Sequence, residues 1–156
     1  MSLRMTALAV LAAALGAAAG RAVPPESLVA KWQQKADEAL KIKVTSVKAT
    51  RVKSTVGKDG AFTLTDDVEV TAEVVGVTRS KSGVKKGDTI KISYSIGRGP
   101  FRTVNGQLKD MRPPGDPEPP LLKKGQEKPA YLTRSKSGTF YLAVGGDSFW
   151  TATAEN

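Results

Sequence analysis

The spacing of apolar positions changes character once along the chain. Over residues 27–40, Leu28, Val29, Trp32, Ala36 and Leu40 recur at intervals of three and four, which predicts a helix with a single apolar stripe. Lys31, Gln34, Lys35 and Glu38 fall mostly on the opposite side, and Trp32 is the expected anchor of the stripe against the core. From Ile42 the period becomes two. Ile42, Val44, Val47, Ala49 and Val52 slip phase twice, as they would in a long strand with bulges. Residues 67–77 alternate without a slip: Val68, Val70, Ala72 and Val74 face one way, Asp67, Glu69, Thr71 and Glu73 the other. Residues 89–96 repeat this, with Ile90, Ile92, Tyr94 and Ile96 inward. Two shorter strands follow, around 130–132 and 139–144, joined by a tight turn.

Turn chemistry separates these runs. Lys58-Asp59-Gly60 reads as one turn and the Ser/Lys/Gly-rich stretch after Val77 as another. Residues 97–128 differ in kind: Gly97, Gly99-Pro100, Pro113-Pro114-Gly115, Pro117, Pro119-Pro120 and Gly125 predict a long loop that is neither helix nor central strand. Phe101, Val104, Leu108 and Met111 are the residues able to pin that loop to the body of the fold. A connection of this length is either a passive surface loop or one that contacts a ligand or partner. A helix and about five short strands, the first one bulged, predict a mainly β fold closed or partly closed into a small barrel, with an open sandwich as the structural competitor.

The first residues are of another type. Arg4 precedes an uncharged apolar run over residues 5–19, and small residues allow cleavage after Ala19 or Ala22. This is the layout of a secretory signal peptide and is too short for a transmembrane helix. The expected organisation is a signal peptide at 1–22, a helix at 23–41 and a β-barrel domain at 42–156 that carries the loop at 97–128. The expected address is secreted or periplasmic.

Composition narrows the chemistry. The chain has 156 residues, no Cys and no His. Disulfides, thiol nucleophiles, zinc-thiolate centres and Ser-His-Asp machinery are therefore excluded, and packing alone must hold the fold. The formal net charge is +9, and loss of residues 1–22 would remove Arg4 and Arg21 from it. Such a charge favours encounters with anionic surfaces without specifying one. Ser80/Lys81, Ser82/Lys85 and Ser137/Lys136 lie in polar turns where a lysine base would lack the burial it needs. Asp66-Asp67 and the carboxylates between Asp110 and Glu118 have no EF-hand spacing. No cofactor or metal site is expected.

The run VEVTAEVVGVTRSKSGVKKGDTIKISYS, followed by PPLLKKGQEKPAYL and TFYLAVGGDSFW, resembles netrin-like OB-fold domains, the group that includes the N-terminal domains of the tissue inhibitors of metalloproteinases. There a strand leads through a Lys-x-Gly-Asp-type turn into another strand, here Lys85-Lys86-Gly87-Asp88-Thr89-Ile90. A Gly-containing turn later leads into a strand with a Tyr-Leu pair, here Gly125 to Leu132. The resemblance spans about residues 44–150 and implies a small OB-like five-stranded barrel. Inhibitor members present a Cys-containing N-terminus to a catalytic zinc. This chain has no Cys, so no functional residue is carried over.

One internal echo singles out candidate site residues. Thr78-Arg79-Ser80-Lys81-Ser82-Gly83 recurs unchanged as Thr133-Arg134-Ser135-Lys136-Ser137-Gly138. Both copies follow a strand and read as basic turns, the second a hairpin turn with Gly supplying a positive φ. Arg79, Lys81, Lys85, Lys86, Arg134 and Lys136 are the candidate anion-binding set. The competing reading is a group of solvated turns. Few aromatic residues accompany these cations, which argues against single-stranded nucleic acid as ligand. The expected function is an exported non-catalytic binding module for a protein or an anionic polymer. The alternatives are an inhibitor of an exported hydrolase and, third, a small hydrolase.

Overall fold

A computed structural model describes residues 24–56, 60–111 and 118–152. The expected signal segment, Lys58 and Asp59 of the first expected turn, and Pro113, Pro114, Gly115 and Pro117 of the loop lie outside these residues. The fold is mainly β, with one helix ahead of the sheet. Helix α1 spans Glu26–Lys35 and is followed by β1 (Glu38–Val56), β2 (Ala61–Ser80), β3 (Thr89–Val104), β4 (Gln107–Asp110), β5 (Glu127–Arg134) and β6 (Phe140–Leu142), then a 3-10 helix, Gly145–Phe149.

The apolar alternation read from the sequence becomes the core. Val68, Val70, Ala72 and Val74 of β2 and Ile90, Ile92, Tyr94 and Ile96 of β3 are all buried, together with Leu40, Ile42 and Val44 of β1 and Ala130, Leu132 and Phe140. The pairing order is β2-β1-β5-β6-β3-β4, and β2 also pairs with β3. Five strands thus close a ring, β1-β2-β3-β6-β5-β1, with β4 hung on the outer side of β3. The closing contact is a single parallel pairing, Ile92 with Phe140. Three register shifts in β1, at Ala39/Leu40, Lys41/Ile42 and Val44/Ser46, account for the phase slips in its sequence.

Two expectations about the helix are corrected. Its last residue is Lys35, so Leu40 and Glu38 belong to β1, where both are buried. Trp32 is not the anchor: it is 41% exposed, and the buried face is Val29, Ala30 and Gln33. The helix packs its small apolar residues into a satellite cluster with Val144 and Ala152, which Tyr131 and Ala143 flank. Gln33, 3% exposed, bonds this layer together. Its Nε2 donates to the carbonyls of Asp147 (2.9 Å) and Trp150 (2.7 Å), and its Oε1 accepts from the Ala152 N–H (3.0 Å). A polar side chain at the centre of the buried face is stable because each of its groups has a partner.

The expected loop at 97–128 is corrected as well. Residues 97–104 and 107–110 are strand: β3 runs on to Val104, the chain turns at Asn105-Gly106, and β4 returns. Gly99 and Pro100 are tolerated because they sit at a register shift, between Arg98 paired with Leu64 and Phe101 paired with Phe62. Leu108 and Met111 pin nothing, being 56% and 52% exposed. The pins are Leu122, buried in the core, and the Tyr94 hydroxyl, which donates to the Pro120 carbonyl at 2.8 Å. Phe101 does pack, its ring centroid 5.6 Å from that of Phe62.

Beyond the ring, β1, β2, β3 and β4 continue as an arm. On one face of it Arg51 Nε and Nη2 donate to the two carboxylate oxygens of Asp66 (2.7 and 3.1 Å), and Arg98 approaches the same group at 3.6 Å. These hydrogen bonds and charges hold the Asp66 carboxyl below the usual carboxylate range.

Candidate anion-binding cleft between the repeated turns

Glu38, the first residue of β1, pairs with Ser80 on β2 and with Leu132 on β5. The turn that leaves β2 and the turn that leaves β5 therefore start from the same end of the ring. They form opposite walls of a cleft of about 560 Å³, lined by Ser82 and Gly83 from the first copy of the repeat and by Arg134, Ser137 and Gly138 from the second. Val84 and Asp88, Thr89, Ile90 and Lys91 of β3, and Thr139 and Phe140 complete it. The final Gly of each copy has a positive φ, +79° at Gly83 and +90° at Gly138, a conformation that side chains rarely adopt. The second turn is closed by Ser135 N–H to the Thr139 carbonyl (2.8 Å) and Gly138 N–H to the Ser135 carbonyl (3.1 Å).

The six predicted cations divide. Arg79 points away from the cleft. Its guanidinium donates to the carbonyls of Ala36 and Gln33, both at 2.9 Å, and so caps the C-terminal end of α1. Lys81 pairs with Asp37 at 3.1 Å. Lys85 and Lys86 sit exposed in the first turn, where the Lys85 N–H donates to Asp88 Oδ2 at 2.8 Å. Lys136 is exposed in the second turn. Arg134 lines the cleft with its guanidinium 5.6 Å from the Phe140 ring centroid, in cation–π contact. Among the described residues, Lys85, Lys86, Arg134 and Lys136 form no ion pair.

Lys91 is a cleft residue that sequence reasoning missed. Alternation marked it as outward, between inward Ile90 and Ile92, but only the pairing of Ile92 with Phe140 brings it beside the second turn. Among the described residues Asp88 is the one acid lining the cleft, and its carboxylate is already engaged by the Lys85 N–H. Behind the first turn the fully buried Glu38 accepts the Ser82 N–H through Oε1 at 2.9 Å and fixes that wall. The cleft thus combines uncommitted cations, serine and threonine hydroxyls and glycine-exposed backbone, a set that binds oxyanions.

A second hollow, of about 460 Å³, lies between α1 and β5 and is lined by Ala30, Leu40, Pro129, Tyr131 and the Lys41–Glu127 ion pair. Among the described residues no cluster of acids is placed to hold a metal ion, and no helix is long and apolar enough to cross a membrane. No protein-family model, curated protein or solved structure matches the chain.

Proposed function

We propose that the chain is an exported, non-catalytic binding module built as an OB-like barrel, and that its ligand is an anionic polymer seated between the two repeated turns. The barrel reading is supported by the five-strand ring and its one parallel pair, β3 with β6. One observation carries the ligand reading. Both copies of the hexapeptide line a single cleft with Arg134 and Lys91, the turns that frame it carry Lys85, Lys86 and Lys136, and none of these five forms an ion pair among the described residues.

The chemistry favours a polysaccharide or polyphosphate over a nucleic acid. The cleft's aromatic residue, Phe140, is buried beneath Arg134 and offers no face on which a base would stack. Sulfate, phosphate or carboxylate groups instead meet a guanidinium, ammonium groups and hydroxyls. Competition tests this directly: a fluorescent sulfated oligosaccharide bound to the chain is displaced by polyphosphate and not by a single-stranded oligonucleotide of equal charge. Equal displacement by both would reduce the cleft to a general charge effect.

A further inference from the structure

The edge of β1 is a second surface, apart from the cleft. β5 covers only the first part of this strand, from Glu38 paired with Leu132 to Lys43 paired with Glu127. Val44 is the last residue bonded on that side, its N–H to the Gln126 carbonyl and its carbonyl to the Gly125 N–H, both at 2.8 Å. Among the described residues, the strand pairs with β2 alone from Ser46 to Val56. This leaves a free edge roughly 33 Å long at the usual rise per residue, and every residue along it except Val47 is exposed.

Sheet edges of this length are usually blunted by proline, bulges or early termination. None of these is present here. Residues 46–56 contain no Pro or Gly, are rich in Val and Thr, and keep an unbroken register with β2. The edge is instead basic, with Lys48, Arg51 and Lys53 and no acid. Arg51 is matched by Asp66, while Lys53 lies 4.2 Å above the Phe62 ring and Lys48 stands opposite Glu69 without an ion pair. A second copy of the chain would bring the same cations to the shared edge, so charge complementarity selects an acidic occupant.

We propose that residues 46–56 of β1 accept an extended acidic segment of a partner protein as an added strand. Main-chain hydrogen bonds supply the affinity, and Lys48 and Lys53 select the acidic sequence. Lys48 and Lys53, five residues apart on a strand of unbroken register, face opposite sides. The test therefore uses three fluorophore-labelled ten-residue peptides: one with Glu on both faces separated by Val and Thr, its Lys-for-Glu counterpart, and the acidic peptide with two central prolines. The acidic peptide binds and slows amide exchange over 46–56, the Lys peptide does not bind, and the prolines weaken binding at least tenfold. Lys48→Glu with Lys53→Glu, both surface changes, lowers affinity for the acidic peptide about tenfold and admits the Lys peptide. Arg134→Ala leaves all three results unchanged. Equal binding of the proline peptide, no binding of the acidic one, or self-association of the chain that protects 46–56 would each overturn the proposal.

Discussion

Arg79 and Arg134 hold the same position in the two copies of the hexapeptide, yet Arg79 caps α1 by donating to the carbonyls of Gln33 and Ala36, whereas Arg134 lies over Phe140 in the cleft. Identical local sequence has therefore been put to two uses by its surroundings. β2 ends beside the helix and β5 ends beside β6, so the first Arg meets the carbonyls at the end of α1 and the second meets an aromatic ring. Arg79→Ala is expected to destabilise the fold by about 1–2 kcal/mol, because it strips two carbonyls of a charged donor. Arg134→Ala should cost less than about 0.5 kcal/mol and act on ligand affinity instead. Urea unfolding of the two variants side by side measures the difference.

Gln33 is the sharpest stability test. Its amide satisfies the carbonyls of Asp147 and Trp150 and the N–H of Ala152, all distant in sequence. Gln33→Leu keeps the volume but orphans three backbone groups, and should cost about 2–4 kcal/mol. Trp32→Ala, one residue away on the exposed face, should cost about 1 kcal/mol or less. Thermal unfolding of both variants decides whether Gln33 or Trp32 is the residue that holds the helix.

This contrast shows where sequence reading stops. The alternation in β2 and β3 is legible because a strand with one buried face must place Val68, Val70, Ile90 and Ile92 on the same side. The helix stripe misleads because Trp32 is its largest apolar residue, while a polar side chain with three distant backbone partners occupies the buried face. Those partners lie more than a hundred residues away and carry no local signal. The strand at 97–104 is hidden for a similar reason, since Gly99-Pro100 reads as a breaker unless its place at a register shift is known. The repeat itself is visible in the sequence. Which of its cations remain free is not, because that depends on Asp37, Ala36 and Phe140 arriving from elsewhere.

Asp66 predicts the acid side of the stability curve. Arg51 and Arg98 lower its folded pKa relative to the unfolded value of about 4. A depressed carboxylate contributes stability that is fully present above the unfolded pKa and is lost as pH falls through the folded one. Stability should therefore decline below about pH 4, and Asp66→Asn should flatten that decline while lowering stability at neutral pH. Unfolding midpoints at about pH 7, 4 and 2.5 check both parts, and a wild-type-like acid decline in Asp66→Asn would remove the pair from the account.

In the proposed function, the free cations of the paired turns hold an anionic polymer. The most direct measurement is the dependence of affinity on salt, for a heparin-like polysaccharide, in the wild type and in Lys85→Ala/Lys86→Ala/Arg134→Ala/Lys136→Ala. Each exposed contact is weakened by screening, so losing four of them should lower affinity and flatten the slope of log affinity against log salt. Arg79→Ala, folded at the measuring temperature, should keep the wild-type slope. If the fourfold variant binds with the same affinity and slope as the wild type, the repeated turns are solvated loops and the cleft is not the binding site.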